Sequence, residues 1–273
     1  MIDTLVIILS QPFMQRALIG GIFISLCASL LGVSLVLKRY SMIGDGLSHV
    51  GFGAAVIATA LGFAPLAVAI PVVVIFAFLL LRLGENSKIK GDAAVAIVST
   101  GALAAGVAVS SLSGGMNQDF NSYMFGTILG LSDSDVILSI AVSVPVLILF
   151  ILFYNKIFAV TFDETFSKAT GVKTEIYNAL VAVLTALIIV VGMRLMGALL
   201  ISSLVIFPAL TSMRVCRTYK SVMICSCFVS VTCFILGIFG SVLFNMPTGA
   251  SIVIANIGAF IIFWIAGLIT NKN

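Results

Sequence analysis

Nine apolar runs follow one another along the chain, at about 13–37, 47–62, 63–81, 93–112, 135–154, 177–193, 196–213, 221–244 and 248–270. Most approach the ~20 residues that cross a hydrocarbon core as an α-helix. Inside lipid each backbone N–H and C=O must be satisfied internally, so runs of this kind become helices. The expected fold is an all-α polytopic membrane protein, a bundle of eight or nine transmembrane helices. The short run at 196–213 decides between the two counts. Only 9% of the residues are charged, against about 25% in soluble domains. The connections are too short to hold a soluble domain, so a single transmembrane domain over 1–273 is expected.

The first run lacks a basic leading region and ends in Lys38-Arg39, which argues against a cleavable signal. Orientation follows from the basic residues. With the C-terminus in the cytoplasm, all of the 14 Lys and Arg fall on the inner side except Arg16 and Arg194. Asp3, Asp119, Asp133 and Asp135 fall on the outer side. The net charge of +4 is thus a topology signal and gives no reason to expect nucleic acid as a partner. With nine crossings the N-terminus is outside. The five cysteines lie in or beside apolar runs with no C-x-x-C pair, and read as packing residues.

Small residues recur where helix backbones approach closely: Gly20-Gly21, the set Gly101, Ala105 and Val109, and Ala198 with Ser202. Three polar interruptions carry more information. The connection 113–134 is Gly-rich with one short apolar stretch, a candidate broken or re-entrant segment. The connection "NKIFAVTFDETFSKATGVKTEIYN" at 155–178 alternates charge at Asp163, Glu164, Lys168, Lys173 and Glu175. The stretch "RYSMIGDGLSHVGFGAA" at 39–55 holds the only histidine, His49, four residues after Asp45.

An ionisable residue at membrane depth is costly, and it usually pairs or lines a pathway. On a helix Asp45 and His49 share one face. A carboxylate oxygen and an imidazole nitrogen suit zinc or manganese. One chain offers two such donors, and a two-fold dimer would offer four. The alternative is a hydrogen-bonded core histidine beside an aspartate that serves the helix N-terminus. Spacing alone leaves both open.

For 155–178, two readings also stand: a solvated connector, or a short helix around Phe162 and Phe166 that docks on a cytoplasmic partner, ended by Gly171. No G-x-x-x-x-G-K-[ST] loop and no H-E-x-x-H motif is present, which argues against P-loop ATP binding and a membrane zinc protease. An intramembrane aspartyl protease would need a second carboxylate, and Asp92 at the basic end of its run is a poor one.

"VLKRYSMIGDGLSHVGFGAA", "TFDETFSKATGVKTE", "GALLISSLVIFPALTSMRV" and "QPFMQRALIGGIF" together resemble permease subunits of ABC-type zinc and manganese importers, the ZnuB-like family. Order and spacing agree over essentially the whole chain. The resemblance implies a homodimeric permease in a prokaryotic cell (inner) membrane, embedded in lipid. It implies an extracytoplasmic metal-binding protein that delivers the ion and a separate cytoplasmic ABC ATPase that uses the ATP. The chain itself then carries no enzymatic activity and no bound cofactor. Asp45 and His49 are implied as the metal pair of the pathway. Residues about 155–176, with Asp163, Glu164, Lys168 and Gly171, are implied as the ATPase-coupling loop. Gly46-Leu47, where manganese-type relatives more often show Ala and Ile, favours zinc, with manganese or iron(II) as the alternatives. A proton-coupled metal transporter using the same two residues as a relay is the rival reading.

Overall fold

The computed structural model describes residues 11–86, 91–113, 124, 126 and 131–270, with eleven helices and no strand among them. They are α1 (Pro12–Leu37), α2 (Ile43–Ala60), α3 (Pro65–Asn86), α4 (Gly91–Leu112), α5 (Asp133–Leu152), α6 (Tyr154–Phe162), α7 (Glu164–Ala169), α8 (Thr174–Met196), α9 (Ala198–Ser212), α10 (Tyr219–Phe244) and α11 (Thr248–Thr270). Each of the nine apolar runs became one helix, and the 155–178 connection contributed two more. Six helices are long and apolar enough to cross a membrane: α1, α4, α5, α8, α10 and α11. Pro65–Leu81 of α3 and all of α9 are shorter apolar helices. Most of 113–134, with its expected re-entrant stretch, lies outside the described residues. So do Asp3, Lys88, Lys90, Asp119, Lys272 and the side chain of Asp92.

The helix ends follow local chemistry. Pro12 opens α1, where its missing N–H costs nothing. At the other end Tyr40 N–H reaches Leu35 O at 2.9 Å and Arg39 N–H reaches Val36 O at 3.0 Å, a Schellman closure with Arg39 at φ +62. Ser132 with Asp135, and Thr218 with Ser221, form capping boxes at the starts of α5 and α10. Between α8 and α9 stands a single residue, Gly197, at φ 88 and ψ 155, a conformation that essentially only glycine adopts. That one residue separates two helices where the sequence left a choice between one span and a broken one.

The core runs along α1, α8 and α9, where Ile24, Leu31, Ile188, Ile189, Leu200, Ile201 and Leu204 are all buried. Lipid supplies no hydrophobic drive between helices, so close approach and hydrogen bonds must hold them. A Cβ on Gly32 of α1 would overlap the Val205 carbonyl oxygen of α9, and one on Gly21 would overlap the Phe234 ring of α10. Along the same α1–α10 seam, Ser230 Oγ donates to Ser25 O at 3.0 Å and Ser226 Oγ to Ser29 O at 3.4 Å. Tyr219 and Ser34 close its end, oxygen to oxygen 2.9 Å. The cysteines are free, with Cys27 and Cys233 buried against carbonyl oxygens.

One packing expectation is corrected. The Gly101 position faces open space, and Gly101 and Ala105 are exposed on the single chain. The face of α4 that meets α2 is instead the one with Ala102 and Gly106. A Cβ on Gly53 would lie 2.5 Å from Ala102 O, and one on Gly106 would lie 3.0 Å from Gly53 Cα. Ala198 and Ser202, by contrast, are buried as expected.

Candidate functional site

Helix α2 starts at Ile43, four residues before its apolar run, so Asp45 lies in its first turn and His49 one turn on. The aspartate complements the positive helix start, and four glycines let neighbours close in around the rest. Three flanks of α2 are taken. Gly44 lies against Val205 and Ser48 Oγ stands 3.2 Å from Ser202 Oγ, both on α9. Gly46 and Gly53 meet Val95 and Ala102 of α4, and Gly51 meets Val73 of α3 and Met193 of α8. At about 100° per residue, Asp45 and His49 occupy the sector left between the α9 and α4 flanks.

His49 Nε2 stands 3.7 Å from Asp45 Oδ2, too far for a direct hydrogen bond. The imidazole side chain is 20% exposed and the carboxylate 38%. His49 Nδ1 is buried without a hydrogen-bond partner. An ion about 2.1 Å from both donors would subtend about 120° between them, within reach of a small rotamer adjustment. Among the described residues no group of three or more His, Cys, Asp or Glu gathers. Asp45 and His49 thus stand as a pair, with no third group of those types beside them among the described residues.

Gly46 and Leu47 face away from this pair. A Cβ on Gly46 would lie 2.6 Å from Val95 Cγ1, and Leu47 is fully buried. Both positions are taken up by helix packing.

The second expected site is a helical corner. Asp163 Oδ1 accepts the Phe166 N–H at 2.8 Å and so caps α7. Lys168 Nζ lies 3.6 Å from Glu164 Oε1 across one turn, and Gly171 closes the corner at φ +83. Phe162 and Phe166 are exposed. Glu164 also turns inward, where Asn178 Nδ2 of α8 donates to its Oε1 at 3.2 Å and Lys38 Nζ of α1 lies 3.5 Å from its Oε2. Lys38 Nζ donates in addition to Asn178 Oδ1. Burial pushes the Glu164 carboxyl up, but Asn178, Lys38 and Lys168 outweigh it and hold it below the usual carboxylate range. Sequence reasoning took Lys38 for a topology marker and passed over Asn178. A contact spanning 140 positions leaves no local signal.

With six helices among the described residues long and apolar enough to cross a membrane, the fold is that of a polytopic membrane protein. The family model described as the ABC 3 transport family matches residues 10–267, and the chain belongs to that family. The manganese import system permease protein ScaB of Streptococcus parasanguinis is 31% identical over 255 residues, covering 93% of this chain and 91% of that protein. The manganese transport system membrane protein MntC of Halalkalibacterium halodurans is 28% identical over 247 residues, covering 90% and 85%. The solved structure of PsaBC from Streptococcus pneumoniae in complex with Fab superposes with a TM-score of 0.87 at 30% identity, covering 97% of this chain and 95% of that one.

Proposed function

We propose that this chain is the membrane permease of an ATP-driven importer of divalent transition-metal ions, with manganese as the first candidate. The observation that carries the reading is the pair Asp45 and His49, 3.7 Å apart on a helix enclosed on three flanks. Two ligands per chain make a pass-through site, and a second copy across a two-fold axis would bring four. Divalent ions bind a given nitrogen and oxygen set more tightly toward copper and zinc than at manganese. An open, incomplete donor set therefore releases manganese readily and retains zinc. The names of the relatives point the same way, whereas the zinc preference drawn from Gly46-Leu47 rests on two packing residues. Zinc and iron(II) are the alternatives to be tested beside manganese.

In this reading an extracytoplasmic binding protein delivers the ion and a separate ATPase in the cytoplasm of a bacterial cell docks on α7 and on the exposed Phe162 of α6 and Phe166 of α7. Binding and hydrolysis of ATP then switch access to the Asp45/His49 gate between the two sides. The chain crosses the membrane nine times with its C-terminus inside. Arg16 pairs with Asp133 at one end of the bundle. The Lys38, Asn178 and Glu164 group marks the opposite end. Serial uptake of radiolabelled manganese, zinc and iron(II) by proteoliposomes holding permease, ATPase and binding protein tests the function. Asp45→Ala and His49→Ala should each abolish uptake while the complex still assembles, and near-normal uptake by the double variant would sink the gate. Orientation is tested by single cysteines in a cysteine-free background: Lys168→Cys and Arg217→Cys protected from an impermeant external reagent, Pro247→Cys labelled. External labelling at 168 would reverse the topology.

A further inference from the structure

The ring of Lys38, Glu164 and Asn178 ties the end of α1 to the starts of α7 and α8. Lys38 ends α1, Glu164 opens α7 and Asn178 lies in the first turns of α8. The Lys38 side chain is only 15% exposed, so its charge is held at the edge of the bundle by oxygen atoms of the other two residues. Six residues separate Lys38 from Asp45, and that connection is held by backbone hydrogen bonds. Lys38 N–H is bound to Ser34 O at 3.1 Å, Tyr40 N–H to Leu35 O at 2.9 Å, and Ile43 N–H to Tyr40 O at 3.1 Å. Arg39 within it sits at φ +62, a left-handed conformation that strains a residue with a side chain. A crevice of about 230 Å³ lined by Lys38, Tyr40, Val160, Thr161, Phe162, Glu164 and Asn178 lies beside the ring. The ring therefore has space to shift without unpacking the core.

We propose that Lys38 is a positioning residue for transport: through Glu164 and Asn178 it ties the movement of the coupling helix α7 to the 38–42 connection, and so to the setting of Asp45 and His49 on α2. The inference rests on the permease reading above. Glu164 is shared between Lys168 on its own helix and Lys38 on α1. A push on α7 alters the balance between these two cations. Because 38–42 is hydrogen-bonded at each end, a displacement of Lys38 reaches the first turn of α2 as a rigid shift or rotation. The strained Arg39 is the joint about which it turns.

The test uses the complete transporter in proteoliposomes and follows manganese uptake and ATP hydrolysis together. Lys38→Met should leave ATPase association and basal hydrolysis within about twofold of the parent. It should lower the metal moved per ATP by about tenfold, the effect of losing one charge-assisted bond on a two-state equilibrium. Lys38→Arg, which keeps the cation, should restore most of that ratio, while basal hydrolysis stays unchanged in both variants. A parental ratio in Lys38→Met, loss of ATPase association in that variant, or Lys38→Arg no better than Lys38→Met would each overturn the proposal. Absence of ATP-dependent uptake by the parental complex would instead remove the permease reading itself.

Discussion

Arg194, in the last turn of α8, donates its Nε–H to Asp135 Oδ1 in the first turn of α5 at 3.0 Å, with a second guanidinium nitrogen also 3.0 Å from the same oxygen. Arg16 makes the parallel link from α1 to Asp133, with its Nε 2.6 Å from Oδ1. The two arginines that break the inner-side bias are thus each neutralised by an aspartate of α5. They are clamps that fasten the start of α5 to α1 and α8.

The two clamps should differ in strength. Asp135 is 13% exposed and Asp133 is 75% exposed. Arg194→Leu leaves a largely buried carboxylate short of its cation and should destabilise the protein by about 2 kcal/mol, with Arg194 itself partly in solvent. Asp133→Ala should cost less than about 1 kcal/mol, as exposed pairs do. Thermal unfolding in detergent separates them, and equal losses would show that exposure does not rank these pairs.

Glycine positions should sort by what stands opposite them. Gly32→Ala drives a methyl into the Val205 carbonyl, a backbone atom that cannot step aside. It should cost at least about 2 kcal/mol and loosen α1 from α9. Gly101→Ala meets nothing within 4 Å, and should be neutral or stabilise α4 by up to about 1 kcal/mol. Melting temperatures of the two variants give the comparison. A strongly destabilised Gly101→Ala would mean that this face is covered by a second copy.

The helical corner depends on its two ends. Asp163→Ala removes the cap on Phe166 N–H and should cost the local structure about 1 kcal/mol. Gly171→Ala places a side chain at φ +83 and should cost about 1 kcal/mol by strain alone, since no atom crowds the site. Gly171→Asn should be tolerated better, because asparagine adopts that conformation more readily. Both destabilising variants should weaken co-purification of the ATPase, and Gly171→Asn should retain it.

Acid should loosen the corner through Glu164. Its carboxyl titrates below the usual range in the folded protein, so folding is favoured by this group above its unfolded value. That contribution is lost as pH falls through the depressed one. Glu164→Gln should therefore be less stable than the parent at neutral pH, with the gap closing on acidification. A gap independent of pH would assign the loss to packing.

The apolar runs determined the helices by themselves, because lipid leaves a backbone no other way to satisfy its own polar groups. The four-residue spacing of Asp45 and His49 likewise put them on one face once α2 was a helix. The concentration of basic residues separated the two ends of the bundle. Tertiary structure decided how each helix is rotated. In a segment that is apolar all round, small residues lie on several faces, and only the neighbour selects one. That is why α4 packs through Ala102 and Gly106 while the equally well spaced Gly101 and Ala105 are exposed, and why Gly46 lies against Val95. The contacts of Lys38 with Asn178 and Glu164, and of Arg194 with Asp135, were decided there too. Each joins residues far apart in the chain, and a long-range contact depends on how the helices assemble and not on any local pattern.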